Sequence, residues 1–187
     1  MEPVRCQWCG DDPLYIKYHD EEWGKPTHDD QTLFEFIILE SFQAGLNWLT
    51  ILRKRENFRD AFDGFDYQKI ALYDADKQKE LLQNPGIIRN KLKIKSAITN
   101  AQAFIAIRKE FGSFSKYIWA FVNHQPIVNQ FASFNNIPAS TPLSDKISKD
   151  LKQRGFRFIG TTIIYAYMQA CGLVDDHVVS CFCHSQK

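Results

Sequence analysis

No run of 18 uncharged apolar residues occurs in this chain of 187 residues, so nothing in it predicts a membrane-spanning helix. The opening residues, Met1 to Arg5, lack the apolar core of a secretory signal, and a soluble, intracellular protein in the cytoplasm is expected. Cysteine is scarce and odd in number, five in all, which argues for reduced or metal-bound thiols over a disulfide framework. Strand-like alternation and internal repeats are missing too, so the expected fold is all-α. At this length, with 44% hydrophobic residues, the chain suffices for one sizeable core or for two small lobes sharing it.

Net charge is also nearly absent, at +1, but its distribution is not even. Residues 1–85 carry 10 Lys and Arg against 17 Asp and Glu, whereas residues 86–187 carry 13 against 5, a change from −7 to +8. A basic surface for a polyanion is therefore expected on the second half.

What is present begins with residues 33–52, an apolar block with one carboxylate, Glu40, at its centre. Leu33, Phe36, Ile37 and Ala44 share its helical face, so Glu40 is expected either in a greasy pocket or reaching past its neighbours to water or an Arg. Gly45 ends that helix, Asn47 caps the next, and Trp48 stands at the joint, where a large aromatic and Glu40 line one pocket. Residues 5–28 read as a mostly irregular arm holding a turn of helix. Asp29 or Asp30 caps a helix over 32–44, Asn47 one reaching Phe62, and Asp66 and Asp74 two short ones. Asn84-Pro85-Gly86 is a break, after which Ile88 to Phe111 forms one long helix stopped by Gly112. Ser113 opens a shorter helix, Thr141-Pro142 starts another that ends at Gly155, and Thr161 or Thr162 caps a last one running to Gly172.

Three groupings carry chemistry. Gly155-Phe156-Arg157-Phe158-Ile159-Gly160-Thr161 joins two helices through two glycines, which permit close approach of a phosphate to the free N–H groups of a helix start. This is a helix-hairpin-helix pattern for DNA backbone, although ordinary helical hairpins also pair a C-terminal Gly with an N-terminal Thr. The basic run Arg89 to Lys95 offers a second phosphate contact or simply the wet face of a helix. Metal-capable residues lie at both ends: Cys6, Cys9 and His19, then His177, Cys181, Cys183 and His184. Zinc takes four such ligands in a structural site, and seven candidates leave the choice open. His19-Asp20-Glu21 matches half of a zinc deaminase signature, but the downstream Pro-Cys-x-x-Cys is missing.

Taken together, Asp12-Pro13-Leu14-Tyr15, Tyr18-His19-Asp20, Glu22-Trp23-Gly24, Leu39-Glu40, Gln43-Ala44-Gly45-Leu46 and Phe121 to Pro126 form a recognisable set. With Gly155-Phe156, Gly160-Thr161-Thr162, Met168 to Val174 and Asp176-His177-Val178-Val179, this chain resembles the 3-methyladenine DNA glycosylase I family over nearly its whole length. The resemblance implies a two-lobed helix-hairpin-helix glycosylase forming one catalytic unit over residues 1–187. A structural zinc on Cys6, His19, His177 and Cys181 would join its ends. It implies a base pocket of Trp8, Tyr15, Tyr18, Trp23, Glu40 and Trp48, with Glu40 as the catalytic carboxylate that chooses the base more than it transfers protons. DNA contacts are expected from Gly45, Leu46, Gly155, Phe158, Gly160 and Thr161, on duplex DNA carrying 3-methyladenine and by a monomer. Asp175 lies near the position of the catalytic Asp of wider helix-hairpin-helix glycosylases, and is either catalytic or a polar cap beside the metal site. The rival expectation is a non-catalytic, zinc-stapled DNA-binding module, which leaves Glu40 without a purpose.

Overall fold

The structure, a computed structural model, describes residues 3–185; Met1, Glu2, Gln186 and Lys187, which the expected signal-free start and single unit over 1–187 include, lie outside the described residues. Its organising element is α2 (Asp30–Gln43), started by the Asp29 side chain, which accepts a bond from the Thr32 N–H. Every residue from Leu33 to Phe42 is buried, because α2 runs through the core and packs against helices on several sides. Such a helix has no polar face, and this is why a polar residue within it stands out.

Around α2 lie α1 (Pro13–Glu21), α3 (Trp48–Ala61), α4 (Tyr67–Ile70), α5 (Ala75–Gln83), α6 (Lys91–Phe111), α7 (Phe114–Ala120), α8 (Pro142–Gln153) and α9 (Thr161–Ala170). Asn47, Asp66, Asp74 and Ser113 cap the helices assigned to them from sequence. Thr141 and Ser144 form a reciprocal capping box at the start of α8, and Gly112 ends α6 in the left-handed region. Among the described residues no helix is long and apolar enough to cross a membrane.

Three expectations need correction. The arm at 5–28 holds a full nine-residue helix, α1, because Asp12 accepts bonds from the Leu14 and Tyr15 N–H groups and Pro13 opens the first turn. Its inward aromatics and His19 give no simple apolar stripe. The long helix begins at Lys91 rather than Ile88, since Asn90 turns its side chain onto the Leu92 and Lys93 N–H groups. The last helix is not capped by a Thr side chain: Gly160 holds the cap position, and the Thr161 hydroxyl lies 2.8 Å from that of Ser144. The fold is all-α as expected; among the described residues its only sheet is a small parallel pair, β1 (Ile127–Val128) beside β2 (Val174–Asp175). Two residues per strand are too few to show a period in sequence.

The arm is closed over α9 at Gly172. Gly24 N–H bonds the Gln169 carbonyl at 2.9 Å and Thr27 N–H bonds the Cys171 carbonyl at 3.1 Å. Gly172 has φ +70°, and a Cβ there would stand 2.3 Å from the Lys25 and Pro26 backbone. Only a residue without a side chain lets the two segments meet. Gly172→Ala should therefore destabilise the fold by at least about 2 kcal/mol. Thermal unfolding should show a Tm lower by roughly 4 °C or more; an unchanged Tm would mean the arm is not held in this way.

Candidate functional site

Glu40 sits in the last turn of α2, 3% exposed, and its Oε2 has no hydrogen-bond partner. It forms one wall of a cavity of about 280 Å³ lined by Trp8, Tyr15, Tyr18, Trp23, Gln43, Trp48, Phe134, Ala166 and Gln169. Burial alone pushes the Glu40 carboxyl up to about 8. The same burial, with Glu40 adding to it, raises the Tyr18 phenol. No Arg or Lys reaches Glu40 by a described bond, so the solvated and Arg-paired alternatives fall away. The nearby Arg55 instead pairs Glu22 and Glu35, each at 2.6 Å.

The aromatic walls come from several segments, Trp23 from the turn after α1 among them. Trp8 lies in a short 3-10 turn, Tyr15 and Tyr18 on one side of α1, and Trp48 at the first position of α3. Ring centroids of Trp8 are 4.9 Å from those of Tyr15 and of Trp23, edge to face, and Tyr18 lies 5.6 Å from Trp48. The indole N–H groups of Trp8 and Trp48 are buried with no partner, so two donors and one acceptor stand unmet on residues that line one cavity. All six pocket residues expected from sequence come together here. Gln43, Phe134, Ala166 and Gln169 were not expected; Ala166 and Gln169 share a face of α9 at three-residue spacing, while Phe134 opens a 3-10 turn (Phe134–Asn136) too short to show such a signal.

Behind Trp23 lies the metal-capable cluster. One ligand atom each from Cys6, His19, His177 and Cys181 falls within 4.8 Å of the others, and all four residues are buried. Cys181 Sγ is 3.4 Å from His19 Nε2 and 3.5 Å from His177 Nδ1, and Cys6 Sγ is 3.6 Å from the latter. His177 Nε2 lies 3.0 Å from the Trp23 carbonyl, which only accepts, so this nitrogen carries the proton and Nδ1 offers its lone pair to the cluster. His19 Nδ1 lies 2.7 Å from the Asp20 carboxylate, leaving Nε2 for the cluster in the same way. Outer partners of this kind fix the tautomers of metal-bound imidazoles. The bond with Cys6, helped by His177 and His19, pulls the Cys181 thiol well below its ordinary value and pushes Cys6 up.

Cys9 and His184 are used differently, and Cys183 groups with His19 and Asp20 at the edge of the cluster. Cys9 Sγ bonds the Cys6 carbonyl, and His184 Nε2 lies 3.0 Å from the Asn129 carbonyl. Cys183 Sγ lies 4.0 Å from the Asp20 carbonyl. Asp175 does not line the pocket, and its two oxygens accept the N–H groups of His177 and Ser185. It fastens the chain beside the cluster, the polar-cap alternative.

The residues expected to meet DNA fall on two loops, not one. Gly45 and Leu46, both exposed, form the turn between α2 and α3, whereas Gly155, Phe158, Gly160 and Thr161 lie between α8 and α9. Both loops rest against the first turns of α6. Buried Asn100 bonds the N–H and the carbonyl of Arg157, at 2.8 and 3.2 Å, and Ser148 bonds the Ile159 carbonyl at 2.7 Å. Held on both sides, exposed Phe158 takes φ +54°, a conformation that costs a side-chain-bearing residue about 1 kcal/mol or more. A Cβ on Gly160 would meet nothing within 4 Å, and its φ is ordinary, so neither packing nor conformation inside the chain demands glycine there. The basic run at 89–95 is split: Lys91 and Lys95 are exposed, but Lys93 is buried, a correction to its reading as one wet or phosphate-facing face.

The family described as methyladenine glycosylase matches residues 8–184. DNA-3-methyladenine glycosylase 1 of Escherichia coli is 52% identical over 180 residues, 96% of each chain. A crystal structure of 3-methyladenine DNA glycosylase I superposes with TM-score 0.94 at 53% identity, covering 97% of this chain and all of the other. A Staphylococcus aureus 3-methyladenine DNA glycosylase I, described for the structural basis of its 3-methyladenine recognition, matches with TM-score 0.92 at 37% identity over 95% of this chain and 94% of its own.

The raised Glu40 carboxyl also has a stability consequence. In the unfolded chain it ionises near its ordinary 4.5, but in the folded state only near 8, so below 4.5 it carries no penalty. As pH rises from 4.5 to 8 the unfolded state loses its proton first, and stability falls by up to about 1.4 kcal/mol per pH unit, levelling off above 8. Unligated Glu40→Gln should thus gain stability relative to the unsubstituted protein between pH 5 and pH 8, as read from denaturant midpoints; a gap independent of pH would contradict the burial.

Proposed function

The chain belongs to the methyladenine glycosylase family and is a DNA repair glycosylase that excises 3-methyladenine; from that premise we propose that the aromatic cavity around Glu40 holds the flipped, N3-methylated adenine. The carrying observation is a buried carboxyl without a partner, ringed by Trp8, Tyr15, Tyr18, Trp23 and Trp48. A purine inside a duplex cannot be reached there, so the base must be extruded. Methylation at N3 gives the ring a positive charge. A cationic base takes the place of the proton that burial keeps on Glu40, and aromatic faces add cation–π attraction, whereas a neutral adenine offers neither.

The reaction needs little more. The C1′–N9 bond breaks with its electron pair moving to the base, which leaves neutral; water adds to C1′ and releases a proton, giving an abasic site. The leaving group is already activated, so Glu40 selects and orients the base and no strong general acid is required. Asp175, committed to two backbone amides, takes no part. Gly160, whose lack of a side chain nothing within the chain explains, admits a phosphate to the α9 start, and Thr161, Gly155 and Phe158 shape that loop. Gly45 and Leu46 meet the duplex beside the pocket. The chain works as a single unit and as a monomer.

Two thiols and two correctly oriented imidazoles suit zinc, which would be held by Cys6, His19, His177 and Cys181 in a closed structural site. Bound there, zinc supplies no chemistry to the base; it ties the two chain ends together. The His177 ring packs edge to face on Trp23 at 4.7 Å, so this tie also supports a pocket wall. Cys181→Ala should abolish stoichiometric zinc by elemental analysis and lower Tm, and full zinc content in that variant would overturn the ligand set.

Glu40→Gln keeps the size of the side chain but removes the charge that meets the base. A hydrogen bond to a charged group contributes about 1.5 to 3 kcal/mol, so excision of 3-methyladenine from alkylated DNA should fall roughly ten- to a hundredfold. Wild-type excision by Glu40→Gln would remove Glu40 from base recognition, and failure of the native protein to release any base would return the chain to a binding module.

A further inference from the structure

Lys93 lies in a run of alternating basic residues, yet it is only 6% exposed while Lys91 and Lys95 on either side of it face solvent. Its ammonium reaches across from α6 to the end of α2, donating to the Phe42 carbonyl at 2.8 Å and to the Ala44 carbonyl at 2.6 Å. Two residues N-terminal to Phe42 is Glu40, and Gln43 and Trp48 of the pocket flank the same turn.

The last carbonyls of a helix have no partner within it and carry the negative end of its dipole. Here the Gln43 carbonyl is taken by the Leu46 N–H at 2.6 Å, and the Gln43 side chain returns a bond to the Leu46 carbonyl at 3.1 Å. Phe42 and Ala44 are left to Lys93. Beyond them the chain turns sharply at Gly45, φ +81°, and presents Leu46, 40% exposed, to the outside. A helix end of negative polarity, aimed at a surface that meets phosphates, repels them unless a cation neutralises it.

We propose that Lys93 is a positioning residue for excision from duplex DNA: by binding the carbonyls of Phe42 and Ala44 it fixes the 43–47 turn against α6 and neutralises the end of α2 where the DNA strand approaches. This rests on the reading of Gly45 and Leu46 as the duplex-facing turn. Lys93 touches neither base nor reacting atoms; it acts through the turn. The free base, which needs only the pocket, does not need Lys93. An extruded nucleotide still attached to its strand does.

Lys93→Met and Lys93→Gln are the test, the second keeping one amide donor for a carbonyl while removing the charge. Free 3-methyladenine binding, read from tryptophan fluorescence, should stay within about twofold of the native protein in both variants. The kcat/KM for excision from alkylated duplex should fall at least tenfold, mainly through KM. Native kcat/KM in Lys93→Gln would overturn the proposal, as would a loss of free-base binding in step with excision, which marks a purely structural residue. If Lys93→Met does not fold, Lys93→Gln decides by the same readings. Should Gly45→Ala and Leu46→Ala both leave duplex binding untouched, the duplex-facing reading of the turn fails instead, irrespective of the Lys93 result.

Discussion

A carboxyl group buried without a counter-charge is the constraint on which the rest of this structure depends. Holding Glu40 out of water costs a few kcal/mol at neutral pH, given an ionisation moved from 4.5 to about 8. The helix that carries it can bear this, because Leu33, Phe34, Phe36, Ile37, Ile38, Leu39 and Phe42 are all buried on the same helix, each contributing about 1.5 to 3 kcal/mol. Packing thus dominates locally, and the penalty at Glu40 persists as a standing preference for a cation. On the proposed reading, a group that is unfavourable in the free protein and favourable beside a cationic base separates a damaged purine from the normal ones around it.

The remaining architecture holds the other walls against that carboxyl. Trp8, Tyr15, Tyr18 and Trp23 come from a short arm with little core of its own, and an arm of that kind frays unless fastened. Besides ion pairs from Arg53 and Arg55 to Asp12 and Glu22, two fastenings hold it. At Gly172 the arm crosses the end of α9 at backbone contact distance, and the Cys6, His19, His177 and Cys181 cluster joins its start to the far end of the chain. The two meet at Trp23, whose carbonyl takes the His177 proton and whose ring packs on Trp8. The metal-capable cluster and the aromatic cavity are therefore separate in chemistry and continuous in mechanics.

On the opposite side, α6 plays the corresponding part for the two loops. Asn100 grips the Arg157 backbone and Lys93 grips the end of α2, so one rigid helix sets the distance between the turn at Gly45 and the hairpin at Phe158. The charge asymmetry along the chain finds its place here, since Lys91, Lys95 and Arg157 are exposed around these loops.

Local rules were sufficient for much of this. Side-chain caps at Asp29, Asn47, Asp66, Asp74 and Ser113, and the stop at Gly112, depend on contacts within three or four residues, so they were legible from spacing. The apolar run around Glu40 and the hairpin glycines were legible for the same reason, and the motifs that mark the family carried the pocket and cluster residues with them. Tertiary structure decided what no window contains. It gathered Cys6, His19, His177 and Cys181, out of seven metal-capable residues, into one buried cluster, because only folding brings residues 6 and 181 together, and it used the two oxygens of Asp175 on backbone amides. It brought Phe134, Ala166 and Gln169 to the pocket, and it turned Lys93 inward although its neighbours face water. Which way a long polar side chain turns is set by the partner across the gap, and that partner, the end of α2, lies some fifty residues away.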